Sequence, residues 1–243
     1  GSSTEVRIWS DVLEPVVFVA IPSQQARQAT LSYESWRYKD RPVTKAECQQ
    51  CSYKWIIPKD CKTFADSIEP DYYWLTFTHK NRAETVFDYT VSRERLESIK
   101  DSLYNPIGNL LLYGEMMAPG FHYIGTTDGV YASTDYRSWN YACDTLKNNV
   151  IRIRMNQLPL VSHEESKERS AQWWHNYWQR SWIEVGNDVP DDCRIMVRNY
   201  ELMRYLLGCN AYGQWPTKFN GGLFTFDPVF VDSTATFTPD YRK

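Results

Sequence analysis

No apolar run in this sequence approaches the ~18 to 20 residues that a bilayer span requires; the longest obvious one is Pro15 to Pro22, Pro-Val-Val-Phe-Val-Ala-Ile-Pro. A membrane partner is therefore not expected. Basic stripes are missing as well: Lys and Arg are scattered, and the formal net charge is −3 with a pI of about 5.9. A polyanion-binding surface needs clustered positive charge, so nucleic acid is excluded as the expected partner. The G-x-x-x-x-G-K pattern that cradles phosphates does not occur, which removes nucleotide chemistry. Histidine is scarce, at positions 79, 122, 163 and 175, and none lies near the C-x-x-C formed by Cys48 and Cys51. With no second C-x-x-C, a zinc site is disfavoured, and neither metal nor cofactor is expected. Asn-x-Ser/Thr acceptors are absent, so glycosylation lends nothing to a secreted reading.

The surplus is aromatic: ten Trp, seventeen Tyr and ten Phe in 243 residues. Indoles and phenols join a flat apolar face to a polar edge, which suits cores and equally suits stacking on sugar rings. Six cysteines, Cys48, Cys51, Cys61, Cys143, Cys193 and Cys209, point to disulfides in a secreted or extracytoplasmic protein, with a metal site or buried thiols as the alternatives. Gly1-Ser2-Ser3 in place of an initiator Met reads as an expression remnant or a processed end, so a leader can have been removed.

Along the chain the first 150 or so residues read as strands. Val6 to Val12, Pro15 to Pro22, Tyr72 to His79, Thr85 to Val91, Asn109 to Met117, Phe121 to Thr126 and Gly129 to Ser133 are candidates, punctuated by Gly, Pro and Asn. Leu96, Ile99 and Leu103 recur at helical spacing within Ser92 to Leu103. Many short strands between turns argue for an antiparallel sandwich. Ile151 to Arg154 is the last alternating strand, and from Glu164 the chain turns helical. Trp174, Trp178 and Trp182 fall at i, i+4 and i+8, flanked by Trp173 and Tyr177, which predicts one broad aromatic helix face. After Pro190, Asp191 and Asp192 are placed to cap a second helix running to about Cys209, apolar around most of its circumference and ended by Gly208 or Gly213. Two helices alone do not bury such faces.

These residues carry a resemblance. Trp173-Trp174-x-x-Tyr177-Trp178-x-Arg180-Ser181-Trp182-Ile183, then Arg198-Asn199-Tyr200-x-Leu202-x-Arg204-Tyr205, then Pro216-x-x-Phe219-Asn220-Gly221-Gly222-Leu223-Phe224, resembles a group of glycoside hydrolases. Their N-terminal sandwich is catalogued as domain of unknown function 5703, and it precedes an (α/α)6 barrel of the six-hairpin glycosidase type. Ile8-Trp9-Ser10-Asp11-Val12, Pro15-Val16-Val17, Glu34-Ser35-Trp36-Arg37, Phe87-Asp88-Tyr89-Thr90-Val91, Asn105-Pro106 and Gly129-Val130-Tyr131 fit that sandwich. A more distant similarity is to glycoside hydrolase family 95, the α-L-fucosidase group.

The resemblance implies an α+β chain of several parts: a sandwich over 1–154, a linker over 155–165, and the first helices of an (α/α)6 barrel over 166–243, apparently truncated. It implies metal-independent hydrolysis of an oligosaccharide or polysaccharide by two carboxyl groups, along an inverting route. The catalytic pair is not assigned, because the relatives take it mostly from later barrel loops. The rest of the barrel, or a second chain supplying it, is the implied partner. Substrate-binding candidates are Asn220, Phe219, Trp215, Gly221 and Asp240, with Asp227 and Asp232 beside them. Each has a plainer reading, as a helix-to-loop turn, a core plug or a solvated loop carboxylate. His122, Glu115 and Asp128 make a further polar set, and Arg180 and Arg198 are placed to pair with Glu184 or Glu201. The competing class is a non-catalytic carbohydrate-binding or structural module; a secreted β-rich interaction protein with no sugar ligand is weaker.

Overall fold

Strict alternation organises the first half of the molecule. In the computed structural model, which describes residues 4–23, 26–42, 62–131, 134–156 and 161–213, strand β3 (Arg27–Ser35) turns Ala29, Leu31, Tyr33 and Ser35 inward and leaves Gln28, Thr30, Ser32 and Glu34 exposed. Period two is what a half-buried strand requires. Within the described residues, packing divides the chain into two compact units, one of 4–10 and 15–156, the other of 11–14 and 161–213.

The first unit is built from antiparallel sheets. Besides β3, its strands are β1 (Arg7–Ser10), β2 (Val16–Ile21), β4 (Arg41–Pro42), β5 (Lys62–Thr63), β6 (Ser67–Pro70), β7 (Trp74–Lys80), β8 (Leu111–Met117), β9 (His122–Tyr131), β10 (Thr134–Leu146) and β11 (Asn149–Met155). Six of them form one sheet in the order β1-β2-β11-β8-β7-β6, three form a second in the order β3-β10-β9, and β4 and β5 pair by themselves. A single apolar cluster joins the larger sheets: Leu75, Met116 and Ile151 from the first, Trp139, Tyr141, Cys143 and Leu146 from the second, with Phe121. Each such side chain contributes roughly 1.5–3 kcal/mol by leaving water. The arrangement is sandwich-like.

Five strands break the expected pattern. The short β4, β5 and β6, the nine-residue β3, and β10, the longest of the described strands at thirteen residues, are absent from the sequence-based candidates. In β10 the inward positions run Trp139, Tyr141, Cys143 and then Leu146, because the register shifts between Cys143 and Leu146 and reverses the parity. Thr85 to Val91 is not a strand. It opens helix α1 (Val86–Arg93), since Thr85 and Asp88 form a reciprocal capping box that fixes a helix start locally. The turn after it, Glu97–Ser102, is a short 3-10 helix rather than a continuation.

The second unit holds helices α2 (His163–Trp178) and α3 (Asp191–Cys209). Ser162 caps α2 by accepting from the Glu165 N–H at 3.1 Å. Trp182 lies beyond the end of α2 and is 69% exposed, so the indole stripe stops at Trp178. In α3 the N-cap is Pro190, and Asp191 and Asp192 sit in the first turn, where they favour the positive end of the helix dipole instead of capping it. Gly208 lies inside the last turn because the Trp174 ring comes within 2.9 Å of where a Cβ would stand. The expectation that α3 is buried on several sides fails among the described residues: Ile195, Met196, Leu202, Met203 and Leu207 are about half exposed or more. Cys143, Cys193 and Cys209 are free thiols, so the expected disulfides are not found among the described residues. Cys48, Cys51 and Cys61 lie outside those residues.

Candidate functional site

Pro70-Asp71-Tyr72-Tyr73-Trp74 enters β7 with three aromatic residues in succession. A strand buries alternate side chains at most, so such a run must expose some of its rings. Here all three stay outside: Tyr72 is 69%, Tyr73 40% and Trp74 41% exposed, while the next residue, Leu75, is fully buried. They form a ridge. Tyr72 and Tyr73 meet edge to face at 6.4 Å, Tyr73 and Trp74 tilt by 39°, and the His122 ring lies within 25° of parallel to Tyr72.

The backbone beneath the ridge is held at every residue. Asp71 N–H donates to the Trp74 carbonyl at 2.8 Å, Tyr123 N–H to the Tyr72 carbonyl at 2.8 Å, and Ala118 N–H to the Tyr73 carbonyl at 2.8 Å. The buried Tyr141 hydroxyl adds a bond to the Trp74 carbonyl at 2.7 Å. Burial, aided by the neighbouring Tyr123 phenol, pushes the Tyr141 hydroxyl up to about 12, which keeps it a donor. Asp71 orients the rings themselves: one carboxylate oxygen accepts from the Tyr72 N–H at 2.6 Å and the other from the Trp74 indole N–H at 2.7 Å. Exposed rings on a rigid frame bind a flat ligand face with little ordering cost.

The register continues from Trp74 across the six-stranded sheet. On the face opposite the Leu75, Met116 and Ile151 cluster, Trp74 stands opposite Met117, Met117 opposite Arg152, Arg152 opposite Phe18, which is buried, and Phe18 opposite Trp9. The adjoining row runs Thr76, Glu115, Arg154 and Val16. Arg154 Nε lies 2.5 Å from Glu115 Oε1, whereas Arg152 Nη2 is 3.9 Å from the same oxygen and 2.6 Å from the Met117 sulfur.

Elsewhere the polar groups serve each other. Asp66 Oδ1 takes Arg37 Nε at 3.0 Å and lies 2.7 Å from His79 Nδ1, and the His79 Nε2 lies 3.0 Å from Asn81 Oδ1. Burial first, and then Asp66, pushes the Tyr33 hydroxyl up to about 12. Among the described residues no Ser or Cys nucleophile is hydrogen-bonded to His79, so this network is a structural tie. In the second unit Arg204 lies over Tyr177 at 4.7 Å and Trp178 at 4.9 Å and donates to the carbonyls of Tyr177 and Ser181.

Asn220, Phe219, Trp215, Gly221 and Asp240, with Asp227 and Asp232, lie outside the described residues. His122, Glu115 and Asp128 are not brought together: His122 stacks on Tyr72, Glu115 pairs with Arg154, and Asp128 holds Arg137 at 2.7 Å and 2.9 Å. Arg180, Arg198, Glu184 and Glu201 are exposed, and the cation that the aromatic face does hold is Arg204. Sequence reasoning missed the ridge, although the run of three aromatics after Pro70-Asp71 carried the signal.

The family model DUF5703_N, described as Domain of unknown function (DUF5703), matches residues 1–183. No curated protein matches the chain, and no solved structure does.

Proposed function

The chain belongs to the family of that domain of unknown function, DUF5703, and from that premise we propose that it is a carbohydrate-active protein, the N-terminal part of a glycoside hydrolase. The observation that carries this reading is the ridge of Tyr72, Tyr73 and Trp74, three exposed rings on a turn whose carbonyls are all hydrogen-bonded. Pyranose rings present a flat C–H face that stacks on phenols and indoles, while their hydroxyls find polar edges such as His122. The α2–α3 pair is read as the opening of an (α/α)6 barrel, with distant similarity to glycoside hydrolase family 95. Supporting this, Met196, Met203 and Leu207 leave an apolar stripe on α3 of the kind a further helix covers. An extracytoplasmic location belongs to the same proposal.

The second reading, a non-catalytic carbohydrate-binding module, is favoured by the chemistry of Asp71. Its two oxygens are committed to the Tyr72 N–H and the Trp74 indole, so the ridge offers a grip and no free acid or base. A glycan array probed with the natural full-length protein, followed by release of reducing ends from any glycan that binds, separates the two. Binding with hydrolysis supports the enzyme, and binding without hydrolysis supports the module. Absence of binding to every neutral and acidic glycan overturns both.

A further inference from the structure

Two guanidinium groups and one carboxylate share the face of the six-stranded sheet opposite the core cluster, which leaves that patch with one positive charge in excess. Glu115 Oε1 lies 2.5 Å from Arg154 Nε and 3.9 Å from Arg152 Nη2, and it is hydrogen-bonded to neither. The Arg152 side chain is 19% exposed, its Nε is buried without a hydrogen-bond partner among the described residues, and its Nη2 rests on the thioether of Met117. Sulfur is a weak acceptor, so a strong donor is spent on a poor partner. A guanidinium drawn out of water needs an anion to offset its desolvation. Burial, with Arg154 alongside, lowers the pKa of Arg152 from its ordinary value, and Glu115 offsets this only in part.

The position of that guanidinium decides what kind of anion suits it. Arg152, Met117 and Trp74 are directly opposite one another on three adjacent strands, β11, β8 and β7, and all three project from the same face. With strands ~4.8 Å apart, the backbones of Arg152 and Trp74 are separated by about 10 Å. The contact with Met117 shows that Arg152 leans toward the indole. A stacking plate and a planar two-pronged donor then face one ligand from neighbouring strands.

We infer that Arg152 forms an anion-recognising subsite beside the aromatic ridge, and that the glycan taken by this face carries carboxylates, as uronic-acid residues do. The inference rests on the carbohydrate reading above and narrows it to acidic glycans. Carboxylate is favoured over a point anion because its two oxygens match the parallel N–H bonds of a guanidinium edge. The binding is non-covalent.

The test uses the full-length protein on three matched sets of immobilised oligosaccharides: uronic-acid chains, the same chains as carboxyl methyl esters, and neutral chains, with sulfated neutral chains as a fourth arm. Tenfold or greater preference for the free acids over their esters is expected, falling with added salt and lost in Arg152→Gln, while Arg152→Lys keeps part of it. The ester comparison needs no variant, so it stands even where Arg152→Gln does not fold. Equal binding of acids, esters and neutral chains overturns the subsite while leaving the carbohydrate reading intact, and so does a preference that survives in folded Arg152→Gln. Preference for the sulfated set overturns the carboxylate assignment, and absence of binding in every arm removes the carbohydrate reading along with it.

Discussion

Asp11 and Arg169 lie 158 positions apart and meet as a two-pronged pair, with Arg169 Nε 2.8 Å from one carboxylate oxygen and Nη2 2.6 Å from the other. The Asp11 side chain is fully buried, and its Oδ1 also accepts from the N–H groups of Leu13 and Glu14 at 2.9 Å each. Both residues belong to the second unit, and the ion pairs from Arg169 to Asp11 and Glu14 tie the short segment 11–14 to helix α2. Burial on its own would raise the Asp11 pKa. Arg169, the Ser166 hydroxyl and the two backbone donors outweigh it and hold the carboxyl at about 2.

That shift has a definite sign in stability. A carboxyl at about 2 when folded and about 3.8 when unfolded stabilises the fold fully above pH 4, and the contribution is lost as pH falls toward 2. The size is on the order of 2 kcal/mol. Asp11→Asn is expected to lose about that much at pH 7, since Glu14, 3.3 Å from Arg169, keeps part of the charge compensated. Denaturant titrations at pH 7 and pH 3 check this: the gap between wild type and variant is expected to shrink to roughly half at pH 3, and a gap that persists unchanged at both pH values would contradict the assignment.

Arg204 gives a second test. It stacks on Tyr177 and Trp178 and donates to the Tyr177 and Ser181 carbonyls, while Tyr177 donates its hydroxyl back to the Arg204 carbonyl at 2.7 Å. A lysine reaches one carbonyl and forfeits the planar stack. Arg204→Lys is expected to cost about 1–2 kcal/mol and Arg204→Ala about 2–4 kcal/mol, from charged hydrogen bonds and cation–π contact together. Near-ultraviolet circular dichroism reports the indoles and hydrogen exchange reports the end of α2; unchanged spectra and exchange in Arg204→Ala would count against this capping role.

The same arginine explains where periodicity misled. Trp174, Trp178 and Trp182 keep helical spacing, yet α2 ends at Trp178, where a guanidinium from α3 that local sequence does not reveal satisfies the carbonyl of Tyr177 in the last turn and that of Ser181 just beyond it. β2, β7, β8 and β11 were legible as apolar or aromatic runs, because strands at least partly covered on both faces carry them. β10 was not, with Asp135, Arg137 and Ser138 ahead of its inward rings, Asn140 between them, and a register shift that reverses the pattern before Leu146. The anion subsite was illegible for a different reason. Ile151-Arg152-Ile153-Arg154 reads as a half-solvated strand, and only the pairing with β8 shows that Arg152 and Arg154 share the one carboxylate of Glu115, with Arg152 lying over a thioether.

Gly114 shows how tightly the core between the sheets is filled. It stands opposite Phe77, and a Cβ built there comes within 2.1 Å of the Phe77 ring edge, a ring itself stacked on Tyr33 at 5.2 Å. Gly114→Ala is expected to destabilise by about 1–3 kcal/mol through overpacking, despite the better strand propensity of alanine. A lowered midpoint in thermal or denaturant unfolding checks it, and an unchanged or raised midpoint would show that Phe77 has room to move.

The ridge separates binding from stability because its rings are outside while its backbone is locked. Removing the Tyr72 ring takes away a side chain that is 69% exposed, so unfolding midpoints are expected to stay within about 0.5 kcal/mol of wild type. Trp74→Ala removes the indole donor but leaves Asp71 bonded to the Tyr72 N–H, and the backbone stays held because the carbonyl of residue 74 still accepts from the Asp71 N–H and the Tyr141 hydroxyl. Either substitution should weaken glycan binding about tenfold, a loss of roughly 1.4 kcal/mol, and the double substitution more than either alone. Titration calorimetry on the glycans selected by the array, run beside thermal unfolding of the same samples, gives both numbers. Affinity that survives the double substitution in a folded protein would place the sugar site elsewhere on the molecule.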